Sequence, residues 1–179
     1  MKTRGGIVTS VLLLAVLCAP SSAQRRNDPM NPEEIDQLRD TAVEPEKRMK
    51  LFVAFARARL VALEQMRSDP KTTDRARQTH RLLEEFVTIY DELNDNLENF
   101  DDRKADLRKA MKIVIEGDTE FQAKLRALKD DSRAAKDETA QYQFILSNAI
   151  ESVDSSADDH RKMAAEQDEV WKQRKKEKR

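Results

Sequence analysis

The stretch RLLEEFVTIYDELNDNLENF, residues 81–100, decides the fold class of this chain. Its main apolar residues recur at alternating steps of three and four, and they are Leu83, Phe86, Tyr90, Leu93, Leu97 and Phe100. Steps of this kind place the apolar side chains on one narrow face of a helix, as in the seam of a coiled coil. Ala76 and Thr79 continue the spacing backwards. The stretch therefore predicts a long helix that buries one stripe against other helices.

The composition indicates that the rest of the chain is also helical. Charged residues make up 37% of the sequence and aromatic residues 5%, with three glycines and five prolines. These values are typical of long helices with charged outer faces rather than of sheets with many turns. We expect an all-α fold, an antiparallel up-down bundle of about four long helices with a short N-terminal helix and coiled-coil-like seams. A more extended pair of helical hairpins is the alternative.

Capping and turn residues predict where the helices begin and end. Asn31 is a candidate N-cap with Pro32 in the first helical position, and Pro45 forces a second start. The stretch SDPKTTDR, residues 68–75, predicts a turn with two possible threonine caps. A last turn is expected between Lys129 and Asp137.

A second seam contains a polar residue. Its apolar members are Leu107, Met111, Val114, Phe121, Leu125 and Leu128, and Asp118 occupies the missing slot. Gly117 precedes Asp118, and glycine costs a helix about 1 kcal/mol relative to alanine. We expect a kink there, with a restart of the helix at a Thr119–Gln122 capping box as the alternative. A final apolar face comprises Tyr142, Ile145, Leu146, Ala149, Ile150 and Val153, and it thins out over residues 154–160.

The N-terminus has the three zones of a secretory signal peptide. Lys2 and Arg4 precede an apolar stretch at residues 7–17, and small residues follow, so cleavage is expected after Ala23. The apolar stretch is shorter than the roughly 20 residues of a membrane-spanning helix, and we expect no span in the mature chain. The predicted organisation is a signal peptide (1–23), a mobile segment (24–31), a bundle domain (32–171) and a basic tail (172–179).

Export to the periplasm or the medium is the expected localisation. Cys18 offers an alternative, because a lipoprotein is anchored through a cysteine, although Leu17 stands where a lipoprotein signal has a small residue. Without Cys18 the mature chain holds no thiol, which excludes disulfides, thiolate metal sites and a cysteine nucleophile.

Other catalytic and metal-binding patterns are also missing from the sequence. His80 and His160 are the two histidines, and the paired Glu-x-x-His motifs of bundle metal sites are absent. No Gly-x-Ser-x-Gly elbow or glycine-rich phosphate loop occurs. We interpret His160, next to Asp158 and Asp159, as a surface histidine, and residues 90–102 as the solvated face of a helix rather than a calcium loop. We therefore expect no enzymatic activity, no cofactor and no metal.

Charge is distributed unevenly along the chain. The formal net charge is −1, but the last eight residues include six cations and one acid, so the body is acidic. The candidate contact residues for an anionic surface are Lys172, Arg174, Lys175, Lys176, Lys178 and Arg179. Nucleic acid is a disfavoured partner, since Trp171 is the one aromatic residue nearby to stack on a base. Elsewhere, four acid–base pairs spaced by four residues predict ion pairs along exposed helix faces: Glu44–Arg48, Glu120–Lys124, Asp158–Lys162 and Asp168–Lys172.

The stretch EPEKRMKLFVAFARARLVALEQM, residues 44–66, resembles exported helical bacterial proteins of unassigned function. The resemblance lies in Pro45–Lys47, Phe55-Ala56, Arg59-Leu60 and Leu63-Glu64. It implies an exported bundle and supplies no activity and no binding residues. The general shape is also similar to small periplasmic stress chaperones, although the Leu-Thr-x-x-Gln motifs of that group are absent. Two functions are expected: an interaction module for a protein partner or a second copy, or a protein that binds the envelope or another anionic surface through its tail.

Overall fold

The computed structural model describes residues 28–131 and 136–177, which form helices and no strand. The helices are α1 (Pro32–Asp40), α2 (Pro45–Ser68), α3 (Arg75–Asp102), α4 (Arg108–Lys129) and α5 (Lys136–Glu177). The predicted all-α fold with one short and four long helices is confirmed. The predictions of a signal peptide, of cleavage after Ala23 and of an anchor at Cys18 fall outside the described residues.

The four long helices form a bundle in which successive helices run in opposite directions. Antiparallel pairs are α2 with α3 and α4 with α5, whereas α3 packs parallel to α5 and α2 parallel to α4. The parallel register of α3 and α5 is visible in two hydrogen bonds, from Asn94 to Ser156 and from Gln167 to Asp101. Consequently α3 and α4 occupy opposite corners of the bundle, and residues 103–107 connect them across the diagonal.

The predicted seams line the core. All six apolar seam residues of the opening stretch are buried, as are Ala76 and Thr79. Phe86 and Phe121 meet edge to face across the diagonal, with 5.3 Å between ring centroids. Such aromatic pairs add to the burial of apolar area, which is the main term that holds a disulfide-free bundle together. Both predicted helix starts, at Pro32 and Pro45, are confirmed.

The N-terminal helix is fixed by a capping box and an arginine. The Asn31 side chain accepts from the Glu34 N–H, and the Glu34 carboxylate accepts from the Asn31 N–H. Arg59 of α2 donates to both oxygens of that carboxylate at 2.6 Å and to the carbonyl of Pro29. Burial opposes ionisation of Glu34, but the hydrogen bonds from Arg59 and Asn31 outweigh it and lower the pKa of Glu34. Met30 lies in the core beside this anchor.

Acidification should weaken this attachment of α1. Because the pKa of Glu34 is lower in the folded than in the unfolded state, ionised Glu34 stabilises the fold at neutral pH, and this contribution is lost as the pH falls through the ordinary glutamate range and below. We expect Arg59→Met to cost about 2 kcal/mol at pH ~7 and clearly less at pH ~3. Urea unfolding at the two pH values measures it, with Arg57→Met as the control at a half-exposed arginine of the same helix. An equal cost of Arg59→Met at both pH values would contradict the assignment.

Two local predictions are wrong. The turn before α3 uses neither threonine as a cap, because Asp74 takes the N-cap position in a left-handed conformation (φ 54°) without a side-chain cap bond. The bases of the four predicted helix-face ion pairs instead contact other groups. Lys124 binds Glu64 of α2 at 2.8 Å, and Glu120 binds Arg57. The remaining bases of those four pairs contact other groups: Arg48 with Asn96 and the Leu38 carbonyl, Lys162 with Asp159, and Lys172 with Glu169.

Gly117 lies where α4 packs against Val53 of α2. α4 runs unbroken from Arg108 to Lys129, and the Thr119 hydroxyl donates to the Ile115 carbonyl, so the restart at Thr119 does not occur. A Cβ at residue 117 would lie 3.0 Å from Cγ1 and 3.3 Å from Cγ2 of Val53. The glycine is thus needed for helix packing and not for a special backbone conformation.

We expect the effects of substituting Gly117 and Val53 to depend on each other. Gly117→Ala gains helix propensity of about 1 kcal/mol, but in the native background the new methyl group pushes against Val53, which is buried and stiff at χ1. In a Val53→Ala background the new methyl group no longer meets the valine side chain, so Gly117→Ala should raise the free energy of unfolding. Four free energies of unfolding from denaturant titrations give the coupling, expected to be about 1 kcal/mol. Strictly additive effects would show that the close approach has no energetic importance.

Candidate functional site

The predicted basic residues lie at the end of α5, the longest helix of the bundle. Lys172, Arg174, Lys175 and Lys176 are all exposed in its last two turns, and Lys178 and Arg179 fall outside the described residues. The bundle ends near Leu107, whose N–H donates to Gln167 of α5 at 3.4 Å. From Lys172 to Glu177 every residue is exposed. At 1.5 Å per residue these six residues extend α5 by about 9 Å.

A tryptophan flanked by two cations marks the base of this extension. Trp171 is 41% exposed, and the guanidinium carbon of Arg108 lies 4.2 Å from its ring centroid. The Lys175 ammonium lies 5.1 Å from the same ring. Asp106 accepts two hydrogen bonds from the Arg108 guanidinium, at 2.9 and 2.6 Å, and so orients it over the ring. We call Arg108, Trp171, Lys172, Arg174, Lys175 and Lys176 the basic end.

Most of the positive charge at the basic end is not neutralised by neighbouring acids. Lys172 pairs with Glu169 at 2.6 Å, and this pair is well exposed on both sides. Arg174, Lys175 and Lys176 have no acidic partner within 4 Å among residues 28–131 and 136–177. The side chains at this end can therefore offer several ammonium and guanidinium groups to an anion, together with one amphipathic aromatic ring.

A second polar group of residues is buried inside the bundle. Asp118 of α4 accepts a hydrogen bond from the Tyr90 hydroxyl of α3 at 2.8 Å, and its second oxygen lies 2.8 Å from Nδ1 of His160 in α5. Tyr90, Asp118 and His160 are 0%, 1% and 4% exposed. Burial and then the negative charge of Asp118 raise the pKa of Tyr90, which keeps the phenol protonated as a donor. We call these three residues the buried triad.

The interpretation of His160 as a surface histidine is therefore wrong. Its position follows Val153 and Ala157 at helical steps, so it continues the apolar face of α5 into the interior. The signal was present in the sequence as Asp118, an acid in an otherwise apolar seam that needed a buried partner. His80 is different, since it lies on the surface with its Nδ1 3.5 Å from Glu84.

Asp118 orients the imidazole of His160, because one of its oxygens lies 2.8 Å from Nδ1. A dissolved substrate does not reach these atoms in the conformation observed. Within residues 28–131 and 136–177, no group of three or more His, Cys, Asp or Glu side chains is arranged to hold a metal ion. Residues 90–102 belong to α3, with Asp91 and Asp95 on its exposed side.

Comparisons with known proteins supply no family and no relative. No protein-family model matches the sequence, and neither curated proteins nor solved structures gave a match. In the part of the chain that the structure describes, no helix combines the length and the apolar character needed to cross a bilayer. The function must be inferred from the side chains themselves.

Proposed function

We propose that this protein is an exported, non-enzymatic interaction module that binds an anionic surface through the basic end of α5. The observation that carries the proposal is the extension of α5 past its last bundle neighbours, with exposed cations and an exposed tryptophan at its base. Basic residues near an anionic membrane contribute about 1 kcal/mol each. Tryptophan prefers the boundary between headgroups and hydrocarbon, because its ring is apolar and its N–H polar.

The distribution of exposed apolar residues supports a surface partner over a protein partner bound through an apolar patch. The large apolar side chains exposed among the described residues are Val43, Phe144, Val170 and Trp171. Val43 lies between α1 and α2, and Phe144 lies near the start of α5, far along the helix from Val170 and Trp171. Val170 and Trp171 are neighbours at the basic end. A contiguous apolar patch is the usual sign of a stable protein interface.

Vesicle binding tests the proposal directly. Trp171 is the single tryptophan of the chain, so intrinsic emission reports on the basic end without a label. We expect a blue shift and saturable binding with phosphatidylglycerol vesicles, no binding to phosphatidylcholine vesicles, and loss of binding when salt shortens the Debye length to a few ångströms. Equal binding to both vesicle types, or none to either, would reject the proposal. A stable oligomer by light scattering, without vesicle binding, would favour self-association instead.

A further inference from the structure

A cleft of about 150 Å³ lies between α2 and α4 near their C-terminal ends, at the end of the bundle opposite the basic end. Its apolar walls come from both helices and are Leu60, Leu63, Leu125, Ala127 and Leu128. Leu60, Leu63 and Leu125 are no more than 3% exposed, so the floor of the cleft is the core itself. An apolar cavity of about this volume accommodates one benzene ring. The cleft is partly open to solvent, so a ring of that size can also enter it.

The charged side chains that line the cleft are paired with one another or with their neighbours. Lys124 of α4 donates to both oxygens of the Glu64 carboxylate in α2, at 2.8 Å each. The Arg67 side chain is 8% exposed, and it binds Glu138 at 2.9 Å and Asp131 at 3.3 Å. Both cations of the lining therefore have acidic partners. A charged ligand must compete with these pairs, whereas a neutral ligand leaves them intact.

One hydroxyl at the mouth of the cleft can bind a polar group of a ligand. Ser68, in the last turn of α2, lines the cleft and is exposed. Its hydroxyl donates to the Glu64 carbonyl at 2.8 Å. A serine oxygen that donates still has lone pairs with which to accept a hydrogen bond. A molecule with an apolar body and one hydroxyl thus matches the leucine walls and the serine at the mouth.

We propose that the cleft between α2 and α4 is a binding site for a small neutral apolar alcohol, such as a phenol, whose ring lies against the leucines and whose hydroxyl faces Ser68. Burial of the ring supplies most of the binding free energy. The paired charges of the lining disfavour carboxylates and ammonium ions. This site does not depend on the proposed function, because the basic end lies at the other end of the bundle.

Titration of the native chain with phenol tests the site. Phenol is neutral at pH ~7, because phenolic groups ordinarily titrate near pH ~10. We expect saturable shifts of the methyl NMR signals of the four leucines of the cleft, with half-saturation at about millimolar phenol. Intermolecular NOEs should join the phenol ring to these methyl groups. Leu93 and Leu97, which are buried nearer the basic end, should not shift. Shifts that do not saturate, or NOEs to methyl groups elsewhere, would overturn the proposal.

Two substitutions at the mouth of the cleft test its location independently. Ala127→Phe and Ser68→Phe each place a ring at the exposed rim of one wall, and each should weaken phenol binding by at least about fivefold. Ala140→Phe makes the same change as Ala127→Phe at an exposed residue of α5, and it should bind phenol within about twofold of the native chain. Circular dichroism confirms that each variant is folded. Native affinity in both rim variants would show that phenol binds elsewhere.

Charged analogues of phenol test the ligand class. Benzoate and benzylammonium carry the same ring, and both should bind at least about fivefold more weakly than phenol, because a carboxylate meets Glu64 and an ammonium meets Lys124 at the rim. Benzoate that binds as tightly as phenol would indicate an anion site at Lys124. Benzylammonium that binds as tightly would indicate a cation site at Glu64. Either result would overturn the assignment of a neutral ligand.

Discussion

Replacing Asp118 with leucine should lower the free energy of unfolding by about 3–5 kcal/mol at neutral pH. The substitution fits the seam of α4 by size and polarity, so a purely apolar account of the core predicts a gain. The opposite is expected, because Asp118 is the acceptor for both the Tyr90 hydroxyl and His160 Nδ1, at 2.8 Å each. Without it a buried imidazole loses its partner, and an unsatisfied buried group costs more than a good hydrogen bond contributes. Denaturant unfolding followed by circular dichroism measures the loss.

The triple variant Tyr90→Phe/Asp118→Leu/His160→Leu distinguishes pairing from packing. Removing all three polar groups together leaves nothing unsatisfied, and we expect most of the lost stability to return. Glu116→Leu is the control, since it makes a similar change at an exposed acid of the same helix and should alter stability by no more than about 0.5 kcal/mol. A triple variant as unstable as the single one would mean that the site rejects leucine for its shape.

Neutralising the four described cations of the basic end should weaken binding to phosphatidylglycerol vesicles by about a thousandfold. The variant carries Lys172→Gln, Arg174→Gln, Lys175→Gln and Lys176→Gln. At about 1 kcal/mol for each basic residue near an anionic membrane, the total loss is about 4 kcal/mol, which corresponds to about three orders of magnitude in affinity. Fold stability should hardly change, because all four side chains are exposed. Titration of Trp171 emission at low salt gives the affinities.

A control with the same change in net charge is available elsewhere on the surface. Glutamine at Lys71, Arg77, Lys129 and Lys136, which are exposed at the opposite end of the bundle, removes as much charge without touching the basic end. We expect this variant to bind vesicles within about threefold of the native chain, because only charges within about a Debye length of the membrane contribute strongly. A comparable loss in both variants would show that overall charge, and not the end of α5, drives binding.

The apolar spacing predicted most of the fold because helix burial is periodic. The seam through Phe86 and Tyr90, the helix starts at Pro32 and Pro45, and the last turn between residues 129 and 137 all agree with the structure. Each depends on residues near one another in the chain. Burying one stripe per helix leaves few packing solutions, and so the bundle follows from local signals.

Contacts between helices were harder to anticipate. Glu120 and Lys124 have the right spacing to pair on one face, but α2 lies close enough for Arg57 and Glu64 to compete for them. His160 was misjudged for a similar reason, since its acidic neighbours in sequence suggested a surface, whereas its neighbour in space is a buried aspartate. The basic residues of α5 were predicted from composition, but the stacking of Arg108 on Trp171 joins two helices and has no local signal.

The diagonal connection between α3 and α4 has a kinetic consequence. Each half of the chain, α2 with α3 and α4 with α5, is a hairpin of antiparallel neighbours whose contacts are close in sequence. The parallel pairs that join the halves cannot be closed by a short loop, so their contacts form between residues far apart in the chain. Such contacts are slow to form. Docking of two preformed hairpins, the event that first brings Tyr90 to Asp118 and His160, is therefore expected to set the rate of folding.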